Sequence, residues 1–130
     1  MPTEGQDALR NYVEAGGGIL VFSWTEYEVA NGYGYMSMLD LIPLNREEGN
    51  GVVNNLYTVI DDNHPVTNGI SDSFNVSTGG NVGYANSGTV LVTSPEAGDV
   101  VVAKEWGDGK IVGFASAGEY GSGGNWDYYY

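Results

Sequence analysis

Ser23, Thr25, Glu26, Glu28, His64 and Glu119 are the residues whose types suit chemistry. Two carboxylates gathered at one place serve as acid and base, as in glycoside hydrolysis. Glu26 and Glu119 form the candidate pair, with Glu28 beside them. The acid partner would need an apolar pocket to keep its proton. In a chain this acidic, solvated carboxylates are the ordinary reading of the same residues. Ser23 as a nucleophile would need a base, and the single histidine is His64. His64 precedes Pro65, a context that more often marks a structured turn than a base. Thr25 is a weaker nucleophile candidate than Ser23.

Asp61, Asp62, Asn63, Asp108 and Asp127 supply hard oxygen ligands of the kind calcium takes. They lack the spacing of an EF-hand loop, and Asp108-Gly109 reads better as a hairpin turn, so no metal site is assigned. Trp24, Tyr27, Tyr33, Tyr35, Tyr120 and Trp126 lie in or beside glycine-rich stretches. Such aromatics pack loops, and when exposed they stack on sugars or anchor a partner. Gly107-Asp108-Gly109-Lys110 and Gly121-Ser122-Gly123-Gly124 do not make a phosphate loop, because no Gly-Lys-Ser/Thr opens a helix. No cofactor is expected.

Composition narrows the classes further. The chain has 130 residues, the size of one domain. Apolar residues make up 42%, enough for a folded core. The 17 acidic against 4 basic residues give a net charge of −13. Phosphate backbones need Lys and Arg, so a nucleic-acid partner is not expected, and neither is an anionic membrane surface. With no cysteine, disulfides, zinc–thiolate centres and thiol nucleophiles are excluded. No apolar run reaches the ~18 residues of a spanning helix, and no signal pattern follows Met1. As written the chain would be cytoplasmic; as a fragment of a larger protein it would be secreted.

Several elements must position these residues. Thr3 reads as an N-cap, with Ala8, Leu9, Tyr12 and Val13 as the apolar face of the helix it opens. Gly16 to Gly18 stop it. Ile19 to Phe22 is a continuous apolar run, the pattern of a strand buried on both faces in a parallel sheet. Tyr35, Met38, Leu39 and Ile42 suit a short helix ended by Pro43. Asn45 to Gly51 reads as a polar loop, Val52 to Ile60 as β, and His64 to Ile70 as a turn. Thr89 to Thr93 and Val100 to Trp106 read as strands. The latter turns through Gly107-Asp108-Gly109 into Lys110 to Ala115 as a hairpin. Asn125 would cap a helix beginning at Trp126.

Three of these segments carry a family resemblance. LRNYVEAGGGILVFSW resembles the helix and strand leading to the nucleophile elbow of the class I glutamine amidotransferase-like superfamily, especially its trehalose-utilisation-like, degenerate branches. HPVTNGI at 64–70 is similar to a turn common in that superfamily. WGDGKIVGFASAGEYG at 106–121 resembles the hairpin and strand that lead to its catalytic His-x-Glu. The resemblance implies a partial flavodoxin-like sheet without its amino-terminal strands. It also implies a lost active site: no thiol stands near Ser23, and Ala117 occupies the histidine position while Glu119 keeps the glutamate.

The expectation is an α/β domain over residues 1–130, incomplete at both ends. Its sheet is mixed and mainly parallel, with flanking helices and a β-hairpin. The expected function is that of a non-catalytic amidotransferase-like module with a binding or structural role. The alternatives are a carboxylate-dependent hydrolase acting on a sugar or small molecule and a secreted, calcium-stabilised adhesion module. Ligands, whether small molecule, sugar or protein, would meet Trp24, Thr25, Glu26, Glu119 and Tyr120 beyond the ends of the Ile19–Phe22 and Ile111–Ala115 strands. The missing part of the sheet would leave a strand edge open, and a homodimer is expected to close it.

Overall fold

The computed structural model describes residues 1–46, 55–76 and 83–116. Helix α1 (Thr3–Glu14) leads into strand β1 (Gly18–Phe22), which passes directly into helix α2 (Ser23–Ala30). A 3-10 turn at Met36–Met38 and the short strand β2 (Leu44–Asn45) follow. The remaining elements are β3 (Asn55–Val59), β4 (Ser73–Val76), β5 (Tyr84–Ala85), β6 (Thr89–Ser94), β7 (Gly98–Trp106) and β8 (Gly109–Phe114).

Six strands form one sheet in the order β1-β8-β7-β6-β3-β4, and β2 pairs with β5 apart from it. The domain is α/β with a mixed sheet, as the sequence suggests. The expected predominance of parallel pairing is corrected: β1 and β8 are parallel, and the other pairs are antiparallel. The physical reason is connection length. β6, β7 and β8 follow one another through turns too short for a crossover, and short turns join antiparallel strands. The β7–β8 hairpin stands where expected, with Trp106 opposite Gly109 and Gly107 at φ +59°.

α1 begins one residue earlier than the sequence suggests: Pro2 is the N-cap, and no side chain caps the helix. Its end is the expected glycine stop. The Gly16 N–H bonds to Val13 O and the Gly17 N–H to Tyr12 O, both at 2.9 Å, with Gly16 at φ +102°. This is the paired bonding of a Schellman motif. Its buried side is narrower than the predicted apolar face. Val13 and Gln6 are buried, while Ala8 and Tyr12 are exposed. Gln6 belongs inside because its amide bonds to Gly34 O at 2.8 Å and accepts from the Ser37 N–H at 3.2 Å.

β1 is also corrected. It is an edge strand, with Ile19 and Val21 turned toward the core of α1 and Ile111. Leu20 is 62% exposed and Phe22 44%, so the continuous apolar run is covered on one face only. The helix expected over residues 35–42 is the single 3-10 turn at Met36–Met38, whereas α2 fills a stretch for which no element is expected from the sequence. A second core joins Leu44 and Tyr57 to Leu91, Val92, Val100 and Val102.

Candidate functional site

β1 and β8 run side by side in register, Leu20 against Val112 and Phe22 against Phe114. Their carboxyl ends therefore come together, where open α/β sheets collect ligands. The Phe22 and Phe114 rings stack at 5.7 Å, and the Ser23 N–H points to Ser116 O at 3.5 Å. α2 starts at this point and spreads its side chains in three directions.

Ser23, Glu26 and Val29 face inward and are fully or almost fully buried. This is an i, i+3, i+6 stripe, and the residue in its middle is a glutamate. Glu26 has no exposed surface, and neither of its carboxyl oxygens has a hydrogen-bond partner among the described residues. Burial pushes its carboxyl up to about 9. The nearby Arg46 guanidinium and, more weakly, the Phe114 N–H favour the charged form, and neither reverses the effect of burial. Glu26 is therefore a neutral acid at pH 7. The expectation of a solvated carboxylate is corrected, because tertiary packing supplies the apolar pocket.

Two buried residues, Arg46 and Tyr57, interact with it electrostatically, and Asn55 is buried on the same strand face as Tyr57. Arg46, 2% exposed, follows β2, and Asn55 and Tyr57 come from one face of β3. Desolvation lowers the Arg46 guanidinium and raises the Tyr57 phenol to about 12, with Glu26 acting as the second influence on each. Sequence reasoning missed these three. The signal was present for Asn55 and Tyr57, two residues apart in a stretch read as β.

Trp24 faces outward, 52% exposed. The Arg46 guanidinium lies 4.8 Å from the Trp24 ring centre and 5.5 Å from that of Tyr27. Tyr27 meets Trp24 edge-on at 5.9 Å and Tyr33 at 6.1 Å, giving an aromatic strip along α2 and the loop after it. Thr25 turns a third way, toward the open side of β1 beside Leu20 and Phe22. Glu28, two residues from Glu26 on the helix, does not share its face.

Trp24, Thr25 and Glu26 thus sit together at the expected end of β1, on separate sides of α2. Glu119 and Tyr120, expected across from them, lie outside the described residues, as do Ala117, Trp126 and Asp127. Ser23 and His64 are not brought together. His64 lines a cavity of about 490 Å³ with Lys110, Ile111 and Val112 in the first half of β8. Its Nδ1 accepts the Val66 N–H at 3.2 Å, and its carbonyl accepts the Thr67 and Asn68 N–H groups. That is the structured turn of the His-Pro context. Among the described residues no three His, Asp or Glu side chains gather as a metal site; Asp61 and Asp62 sit in the turn after β3, and Asp108 sits in the β7–β8 hairpin. No described helix is long and apolar enough to cross a membrane.

No protein-family model matches the chain, and no curated protein sequence does. Solved structures do. A cytoplasmic protein of Salmonella typhimurium is 21% identical with a TM-score of 0.68, covering 88% of this chain and 49% of its own. A second, from Salmonella typhimurium LT2, is 18% identical with a TM-score of 0.69, covering 89% of this chain and 50% of its own. A β-galactosidase from Bacillus circulans sp. alkalophilus matches at 13% identity and a TM-score of 0.64, over 86% of this chain and 18% of the enzyme. These likenesses show the fold alone. The chain spans about half the length of the two Salmonella proteins.

Proposed function

We propose that this chain is a non-catalytic module, a degenerate relative of the class I glutamine amidotransferase-like superfamily, that binds a ligand or partner at the carboxyl ends of β1 and β8. The observation that carries the reading is the state of Ser23. It stands immediately after β1, where that superfamily places its nucleophile, but it is fully buried, and its hydroxyl has no hydrogen-bond partner among the described residues. A nucleophile must reach substrate and lose its proton to a neighbour. His64, the chain's single histidine, is engaged in its own turn. The direct passage of β1 into α2 and the parallel β8 beside it support the family likeness.

The test is ammonia release from glutamine by the purified chain. No turnover above background is expected. Turnover abolished by Ser23→Ala would overturn the reading.

A second reading has one observation in its favour. Burial raises the Glu26 carboxyl and keeps it protonated, the state a general acid needs, although the side chain, like Ser23, has no exposed surface. A hydrolase acting on a sugar or small molecule would use Glu26 as acid and Glu119 as its partner. Aryl-glycoside hydrolysis lost in both Glu26→Gln and Glu119→Gln would establish it.

A further inference from the structure

The turn at 64–70 holds an Asn-Gly step that the site described above does not use. The Ile70 N–H bonds to Thr67 O at 3.0 Å, and Gly69 has φ +82°. These are the closing bond and the positive φ of a type II turn, with Asn68 and Gly69 as its central pair. Both are exposed, and a Cβ at Gly69 would meet nothing within 4 Å. Neither the Asn68 side chain nor the Gly69 N–H has a hydrogen-bond partner among the described residues.

The peptide unit between the two can rotate while the Ile70–Thr67 bond stays made, which is the difference between type I and type II turns. Glycine offers no Cβ to oppose that rotation. Rotation carries the Gly69 nitrogen toward the Asn68 carboxamide.

Two other described asparagines precede glycine or serine, and both are pinned. At the end of α2 the Asn31 Nδ2 donates to Tyr27 O at 2.9 Å, and the Gly32 N–H donates to Val29 O at 3.2 Å. After β5 the Asn86 and Ser87 N–H groups both donate to Pro43 O, at 2.8 and 3.3 Å.

We propose that Asn68 is a modification site, converting without an enzyme to aspartyl and isoaspartyl forms. The inference is independent of the binding reading above. The Gly69 nitrogen, its proton lost to hydroxide, attacks Asn68 Cγ. A cyclic imide closes as the Cγ–Nδ2 bond breaks, and ammonia leaves with a proton from water. Water then opens the ring. Cleavage between Gly69 N and Asn68 Cγ gives aspartate. Cleavage between Gly69 N and the Asn68 carbonyl carbon gives isoaspartate, whose chain runs through the side chain. In sum one amide and one water become one carboxylate and one ammonium, with no oxidation or reduction. Either product adds a negative charge to a turn tied down by the Thr67 hydroxyl, which donates to Asp61 O and His64 O. Isoaspartate also lengthens the backbone there by one atom.

The experiment ages the full chain in warm, mildly alkaline buffer, digests it in acid and follows each asparagine peptide by mass and fragmentation. Asn50-Gly51 lies outside the described residues, so the chain carries Asn50→Gln. Asn68 should gain the mass of an acid over an amide, in two chromatographically distinct products, at a rate that rises with hydroxide. Two hydrogen bonds must break at Asn31 and two at Asn86, so each should react ~10-fold or more slowly than Asn68. In denaturant Asn31 should catch up with Asn68, since both precede glycine. Adding Asn68→Gln should remove the more acidic species that anion exchange resolves from the aged chain. Asn31 or Asn86 reacting as fast as Asn68 in the folded chain, a single product at Asn68, a rate indifferent to pH, or Asn31 staying slow in denaturant would each overturn the proposal.

Discussion

Gly113 of β8 makes room for Glu26. A Cβ at position 113 would lie 2.8 Å from Glu26 Oε1, 3.0 Å from Pro43 Cγ and 3.3 Å from Leu44 Cβ. The buried acid is therefore built from two sides, by a helix that carries it and a strand that yields space. Gly113→Ala should destabilise the fold by ~1–3 kcal/mol through overpacking. In a Glu26→Ala background the same change should cost less, because one of the three close contacts is gone. A double-mutant cycle by denaturant unfolding measures the difference, and strictly additive effects would count against the contact.

Glu26 should also leave its mark on stability against pH. In the folded chain the carboxyl keeps its proton up to about pH 9; unfolded, it loses it near the ordinary 4.5. Between these values the unfolded chain binds fewer protons than the folded one, so stability falls as pH rises. The limit for one group is ~1.4 kcal/mol per pH unit. Below about 4.5 and above about 9 the contribution is flat. Glu26→Gln should therefore gain on the wild type steadily from pH 5 to pH 8.5 in denaturant midpoint. Parallel curves would show that the acid is not buried.

The elements resting on local rules were legible in the sequence. The glycine stop after α1, the β7–β8 turn and the apolar run of β1 each follow from a few neighbouring residues. α2 was not legible, because its inward stripe is Ser23, Glu26 and Val29, and a pattern of apolar residues cannot announce a helix that buries a serine and a glutamate. The same substitution of polar for apolar hid the site: Glu26 reads as surface until β8, Pro43 and Leu44 close around it. The single covered face of β1 was illegible for the opposite reason, since Leu20 and Phe22 are apolar whether or not anything covers them.

Gly109 is the tightest point between α1 and the sheet. A Cβ there would fall 1.9 Å from Val13 O and 2.4 Å from Gly17 O, both backbone atoms that cannot swing away. Gly109→Ala should cost ~3 kcal/mol or more, at the top of the overpacking range. The neighbouring exposed Asp108→Ala should stay within ~0.5 kcal/mol. Thermal melts of the pair check this, and equal melting temperatures would refute it.

The open edge of β1 bears on assembly. A strand edge that no described residue pairs, with exposed Leu20 and Phe22, is a template for another strand. A two-fold homodimer through β1 is the proposed state. Leu20→Lys should give a monomer with an unchanged fold, measured by light scattering across protein concentration. A wild-type chain that stays monomeric at the highest concentration, in moderate salt, would remove the proposal.

The four basic side chains have a consequence for how the molecule meets its surroundings. Arg10 is forked onto Asp40 and lies 5.0 Å from the Trp106 ring centre, and Lys104 reaches Asp40 O and the same ring. Arg46 is inside, and Lys110 stands opposite Glu105 across the hairpin. The cations are thus spent on holding the fold together, while most acidic groups face water. In colloidal terms the particle is a polyanion wrapped around its own counter-charges: self-repelling in dilute buffer, drawn together by added salt, retained by anion exchangers, and least soluble near its isoelectric point of about 4.1.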